Sequence, residues 1–160
     1  MKIRFPIVFS ILAVGGFTAC VNHYYNVSMD ADVQELPDAM LILKALKEDP
    51  EIIDVQYDSY PPPKGGGALF DRVFGTSGDH MSDSFSIRTR DGRQFQFILA
   101  SDPSKKSVGL FQQVWQEGSE FHDDGLIHLM TDVYMRLAVR FPTLPPCYTL
   151  KKTVEHGSAH

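Results

Sequence analysis

With only two cysteines in 160 residues, the chain cannot carry a disulfide scaffold. It also lacks the roughly 20 consecutive apolar residues that a membrane-spanning helix needs. Positive charge is scarce. Fifteen basic side chains face 20 acidic ones, for a formal charge of −5. Phosphate contacts require clustered Lys and Arg, so this balance argues against a nucleic-acid partner. Internal repeats are absent, which excludes solenoids and propellers. What remains is ordinary: 43% apolar and 22% charged residues in 18.0 kDa. That composition fits one globular domain and excludes a disordered or collagen-like chain.

The N-terminal segment reads as an address. Lys2 and Arg4 form a short positive region, and residues 5–19 carry no charge. Pro6 near the start of the apolar run and Gly15-Gly16 near its end keep it too short to span a bilayer. This is the pattern of a secretory signal. It closes with Phe17-Thr18-Ala19-Cys20, small residues directly before a cysteine.

That ending resembles the lipobox of bacterial lipoprotein precursors. Thr18, Ala19 and Cys20 fit the pattern, while Phe17 stands where Leu or another aliphatic residue is usual. The resemblance covers residues 1–20 only. It implies cleavage before Cys20, a diacylglyceryl thioether on that cysteine and an acylated N-terminus. Two or more acyl chains hold a protein stably on a membrane. The resemblance further implies sorting by the next residue. Asp there favours inner-membrane retention, and Val21 points instead to the outer membrane, on its periplasmic face. The other reading is a plain secretory signal cut near Ala19, with Cys20 an incidental thiol. Removing residues 1–19 takes away Lys2 and Arg4, leaving 13 basic against 20 acidic side chains, a net −7. With Cys20 lipidated, Cys147 is solitary.

The expected organisation is a signal at 1–19, a lipid-anchored tether at 20–36, one domain at 37–154 and a loose polar tail at 155–160. Tyr24-Tyr25-Asn26-Val27 has strand character and offers an edge strand as the alternative to a tether. A helix begins near Pro37 and stops before Pro50. Ile53, Val55 and Tyr57 alternate with polar residues, as in a half-buried strand. Residues 85–89 and 94–100 read as a hairpin. A three-residue Arg90-Asp91-Gly92 loop sets Ile87 opposite Phe95 and Phe85 opposite Phe97, and leaves Gly92 left-handed. Leu110, Phe111, Val114 and Trp115 recur at helical spacing, so 107–116 reads as a short helix, with a strand as the alternative. A longer helix spans 124–141, with Asp123 or Asp124 as its cap. After Pro145-Pro146 comes a last strand, 147–154. The expected fold class is therefore α+β: a mainly antiparallel sheet of about four strands with two or three helices on one face.

Residues 61–84 do not fit compact packing. A Pro-Pro-Pro-Lys-Gly-Gly-Gly opening leads into an apolar knot containing Leu69, Phe70, Arg72, Val73 and Phe74. Loops this long in small domains are usually functional or disordered. Either the aromatics cap the core, or Lys64, Leu69, Phe70, Arg72 and Phe74 form a partner-binding element hinged by glycine.

Chemistry-bearing constellations are thin. Asp124, His128 and Asp132 share a helix face, with His122 nearby, but zinc sites need three or four converging ligands and no HExxH pattern is present. An N-cap followed by a solvated face explains the same residues. Ser77, Asp79 and His80 lie in the long loop without the GxSxG elbow. Cys147 reads as a small buried hydrophobe. No cofactor is expected. The leading expectation is a non-catalytic, membrane-anchored periplasmic module that binds a protein, with acidic charge suiting a basic partner. Such a partner would be a toxin neutralised by an immunity-type protein, or a component of an envelope assembly. The rival is a small envelope hydrolase or metal-dependent enzyme built on His122, Asp124 and His128 or on Ser77 and His80.

Overall fold

The computed structural model describes residues 22–60, 81–117 and 120–158. Expectations for Cys20, the apolar knot, Ser77 and His80 fall outside these residues. In chain order the elements are β1 (Asn22–Val33), α1 (Ala39–Lys47), β2 (Ile52–Tyr60), β3 (Met81–Thr89), β4 (Gln94–Ser101), β5 (Lys106–Glu117), α2 (Asp124–Arg140), a 3-10 turn (Cys147–Thr149) and β6 (Lys151–Ser158). The strands form one antiparallel sheet in the order β2-β3-β4-β5-β1-β6. The class is α+β as expected, but the sheet has six strands where about four were expected.

The first added strand is β1. Its residues were assigned to the 20–36 tether, or at most to an edge strand. Instead β1 lies between β5 and β6 and pairs with both. Alternation explains it: Tyr25, Val27 and Met29 are buried in the core, while Tyr24, Asn26 and Ser28 face the other way. The second is β5, expected as a helix. Apolar residues occupy both of its faces, with Leu110 and Val114 toward the helices and Phe111 on the opposite side. That double-sided pattern imitates a helical repeat.

Two smaller corrections have local causes. Ile53 was expected inside. A bulge between Ile52 and Asp54 puts Ile52 in the core and leaves Ile53 54% exposed. The last strand starts at Lys151, because Cys147–Thr149 form a 3-10 turn. It runs through Ser158, so residues 155–158 belong to the sheet and not to a loose tail. Its polar composition suits a sheet edge.

The hairpin follows its sequence pattern. Ile87 pairs with Phe95 and Phe85 with Phe97. Gly92 has φ +88°, the left-handed conformation its position demands. The Asp91 carboxylate accepts from the Thr89 hydroxyl at 2.6 Å and from the Arg93 guanidinium at 2.9 Å, and these contacts hold its pKa below the usual carboxylate value. Both helices begin at aspartate caps. Asp38 accepts from the amides of Met40 and Leu41, and Asp123 from that of Leu126.

Both helices cover the same face of the sheet. Ile42 and Leu46 of α1 meet Leu126, Met130, Val133, Tyr134 and Leu137 of α2 over Phe85, Phe97, Leu99 and Leu110. Polar contacts fix the two helices together. The Arg136 guanidinium donates to both oxygens of Asp49 at 2.6 and 3.2 Å, and Arg140 donates to Glu48 at 2.7 Å. The buried Tyr134 hydroxyl donates to the Pro145 carbonyl at 2.9 Å, and burial raises its pKa far above the ordinary phenol.

A tether and a sheet strand respond differently to truncation. Met29→Ala is expected to lower the unfolding free energy by about 2–3 kcal/mol in urea titration, the range for emptying a buried methionine site. A change near zero would return residues 22–33 to a tether.

Candidate functional site

The face of the sheet opposite the helices carries the surface most suited to binding. Pairing registers arrange its side chains in rows across the strands. Asp54, Arg88 and Gln94 form one row, and Gln56, Ser86 and Gln96 the next. They line a hollow of about 310 Å³ together with Ile87, Phe95 and Gln112, positions that alternate toward the helix side. Serine makes the depression. On this face β3 presents Ser82, Ser84 and Ser86, whose short side chains run as a low line between the longer ones of β2 and β4.

The chemistry of the hollow is hydrogen bonding. Arg88 neutralises Asp54 across 3.5 Å, both side chains being about half exposed. The remaining polar groups are mostly side-chain amides, each offering two donors and one acceptor. Such a set matches peptide groups and polar side chains of another chain. Among the described residues, the lining of the hollow holds no thiol, imidazole or unpaired carboxylate.

Beside the hollow the same face becomes apolar. Ile98, Ala100 and Phe111 form a second buried cluster. Farther along β5, Trp115 stands directly opposite Tyr24 of β1, with ring centroids 5.3 Å apart. Trp115 is 56% exposed. Between them and Phe111, the Gln113 amide donates to Asn26 at 3.1 Å. On the helix side of this corner, His23 and His156 share a hydrogen bond of 2.7 Å between ring nitrogens. The His156 ring also lies against Tyr25, which contacts Phe121.

The metal candidate on α2 does not assemble, while Ser77 and His80 lie outside the described residues. His122, Asp124, His128 and Asp132 are all exposed. Among the described residues, no three His, Cys, Asp or Glu side chains converge for a metal ion. The local polar pattern has another use: Asp123 caps α2 and accepts from Arg93 at 3.3 Å, joining the hairpin to the helix. Cys147 is a free, half-buried thiol packed against the core. Burial, with help from the Asp132 carboxylate, pushes its pKa up, the reverse of an activated nucleophile.

Sequence reasoning did not find the hollow, because its residues come from four strands and meet only through register. The alternation of Ser82, Ser84 and Ser86 with Asp83, Phe85 and Ile87 was the available signal: small polar residues on one face of a strand, with Phe85 and Ile87 buried on the other. Among the described residues, no helix is long and apolar enough to cross a membrane.

No protein-family model matches the chain, and no curated protein matches it in sequence. Among solved structures, the chain is similar to one in the 1.75 Å crystal structure of the toxic C-terminal tip of CdiA from Pseudomonas aeruginosa in complex with immune protein. The identity is 12%, the alignment covers 86% of each chain and the TM-score is 0.32. A likeness at that level is too distant to establish a shared fold.

The raised Cys147 pKa has a direct readout. Alkylation by iodoacetamide at pH 7 should run several-fold slower than with a free cysteine, and its pH–rate curve should be displaced upward. A rate equal to or above that of the free thiol would contradict the raised pKa.

Proposed function

We propose that the mature chain is a lipid-anchored protein of the outer membrane, facing the periplasm, that binds another protein and carries out no reaction itself. The observation that carries the binding role is the amide-lined hollow, which among the described residues offers many hydrogen-bonding groups. Its position supports the reading, because β2, which contributes Asp54 and Gln56, is an edge of the sheet. Residues 61–80 join β2 to β3, the two strands that supply Asp54, Gln56, Ser86 and Arg88. Lys64, Leu69, Phe70, Arg72 and Phe74 belong to this connection in the sequence, and the proposal assigns Leu69, Phe70 and Phe74 the apolar part of the interface and Lys64 and Arg72 its polar part.

The proposed partner is basic. The mature net charge of −7 speeds encounter with a cationic surface and makes binding sensitive to salt. A toxin held by an immunity-type or inhibitory protein fits this description, and so does a basic component of an envelope assembly.

The test is capture from cell envelopes with four forms of the mature protein: wild type, a Gln94→Ala/Gln96→Ala double variant, a Phe70→Ala/Phe74→Ala double variant, and Met135→Ala on the exposed side of α2 as control. Each double variant should weaken capture of one defined basic protein by about tenfold, equivalent to about 1.4 kcal/mol. Met135→Ala should leave it unchanged. Equal recovery with all four forms would remove both the hollow and the loop from the interface.

The anchor is tested separately. Cys20→Ser should move the protein from the membrane pellet to the soluble periplasmic fraction, and persistence in the pellet would overturn the lipid-anchored reading.

A further inference from the structure

We infer that the Tyr24–Trp115 corner of the sheet is a seat for the phospholipid surface in which Cys20 is anchored. The inference rests on the lipid-anchored reading and deepens it by naming the part of the fold that meets the bilayer.

Chain length makes the first argument. β1 begins at Asn22, two residues after Cys20. Tyr24 follows Cys20 by four residues, so their Cα atoms are at most about 14 Å apart even with the chain fully extended. A thioether-linked diacylglycerol places Cys20 at the boundary between acyl chains and headgroups. The headgroup zone on each side of a bilayer is roughly 5–8 Å deep. Tyr24 therefore cannot rise far above that zone, and pairing carries Trp115 with it.

The chemistry of the corner makes the second. Tyr and Trp pair an apolar body with a polar tip and concentrate at membrane–water interfaces. Trp115 is the only tryptophan in the chain, and it stands 56% exposed against Tyr24 at the end of the sheet where β1 begins. The next pair inward on this face is neutral, Asn26 with Gln113. The carboxylates Asp30 and Asp32 lie farther along β1, the nearer about 20 Å from Tyr24 at strand rise. Glu155 stands opposite Asn26 on β6, and Glu117 ends β5 beyond Trp115. These acidic residues favour a zwitterionic surface over an anionic one.

Trp115 reports on its own corner without a label. The experiment uses lipidated mature protein reconstituted in phosphatidylethanolamine/phosphatidylcholine vesicles, with Cys20→Ser protein beside it. With the lipidated form, Trp115 emission should shift to the blue, resist acrylamide and be quenched by brominated acyl chains. The Cys20→Ser form should keep the emission of a water-exposed ring. Adding anionic phosphatidylglycerol should reduce the blue shift.

The outcomes separate the two claims. Failure of the wild-type protein to sediment with vesicles would overturn the lipid anchor. Sedimentation with Trp115 still open to acrylamide and untouched by brominated lipid would overturn the seat alone. Quenching of Trp115 by the captured protein partner instead of by lipid would also overturn the seat, and would assign the corner to the protein interface. Tyr24→Ala should partly restore acrylamide access in the lipidated form. Trp115 is exposed and Tyr24 lies outside the main core, so thermal melts should show the variant folded.

Discussion

The pairing of β1 with two neighbours is the constraint on which the rest of the molecule depends. Among the described residues β6 has no other partner in the sheet, and β5 has β1 along its whole length. Tyr25, Val27 and Met29 close one side of the core, so the strand supplies buried apolar surface as well as ladder hydrogen bonds. The same strand sets Tyr24 against Trp115 and brings His23 to His156. Each of these arrangements would vanish if residues 22–33 were a spacer.

The two faces of the sheet differ in kind. One is closed by helices held through Arg136–Asp49 and Arg140–Glu48, contacts that fix α1 and α2 in register over an aromatic and aliphatic core. The other carries serine and glutamine rows beside a small apolar cluster. An antiparallel sheet tolerates that division because alternate residues point to opposite sides. It leaves one face closed by the helices and the other lined by hydrogen-bonding side chains.

Legibility in the sequence tracked the range of the deciding interaction. The β3–β4 hairpin was readable to the residue, because its turn and its alternating partners are neighbours in the chain. The span of α2 was readable for the same reason. β1 and β5 were not, because their identity depends on strands distant in sequence, and β5 carries apolar residues on both faces. Ile53 was misplaced by a single-residue bulge that composition does not announce. The hollow is the extreme case. Gln56, Ser86 and Gln96 are unremarkable singly and become a surface only when three strands lie in register. Asp124, His128 and Asp132 share a helix face at the sequence level, yet the fold leaves them and His122 exposed, with no three such ligands converging among the described residues.

The place of β1 in the sheet also governs timing. Asn22 finds Glu117 only after about three-quarters of the chain has been made, and His23 finds Ser158 only after nearly all of it. Contacts so distant in sequence form slowly, because loop closure comes before any of their reward. The earliest strand to leave the ribosome is therefore among the last to find its partners.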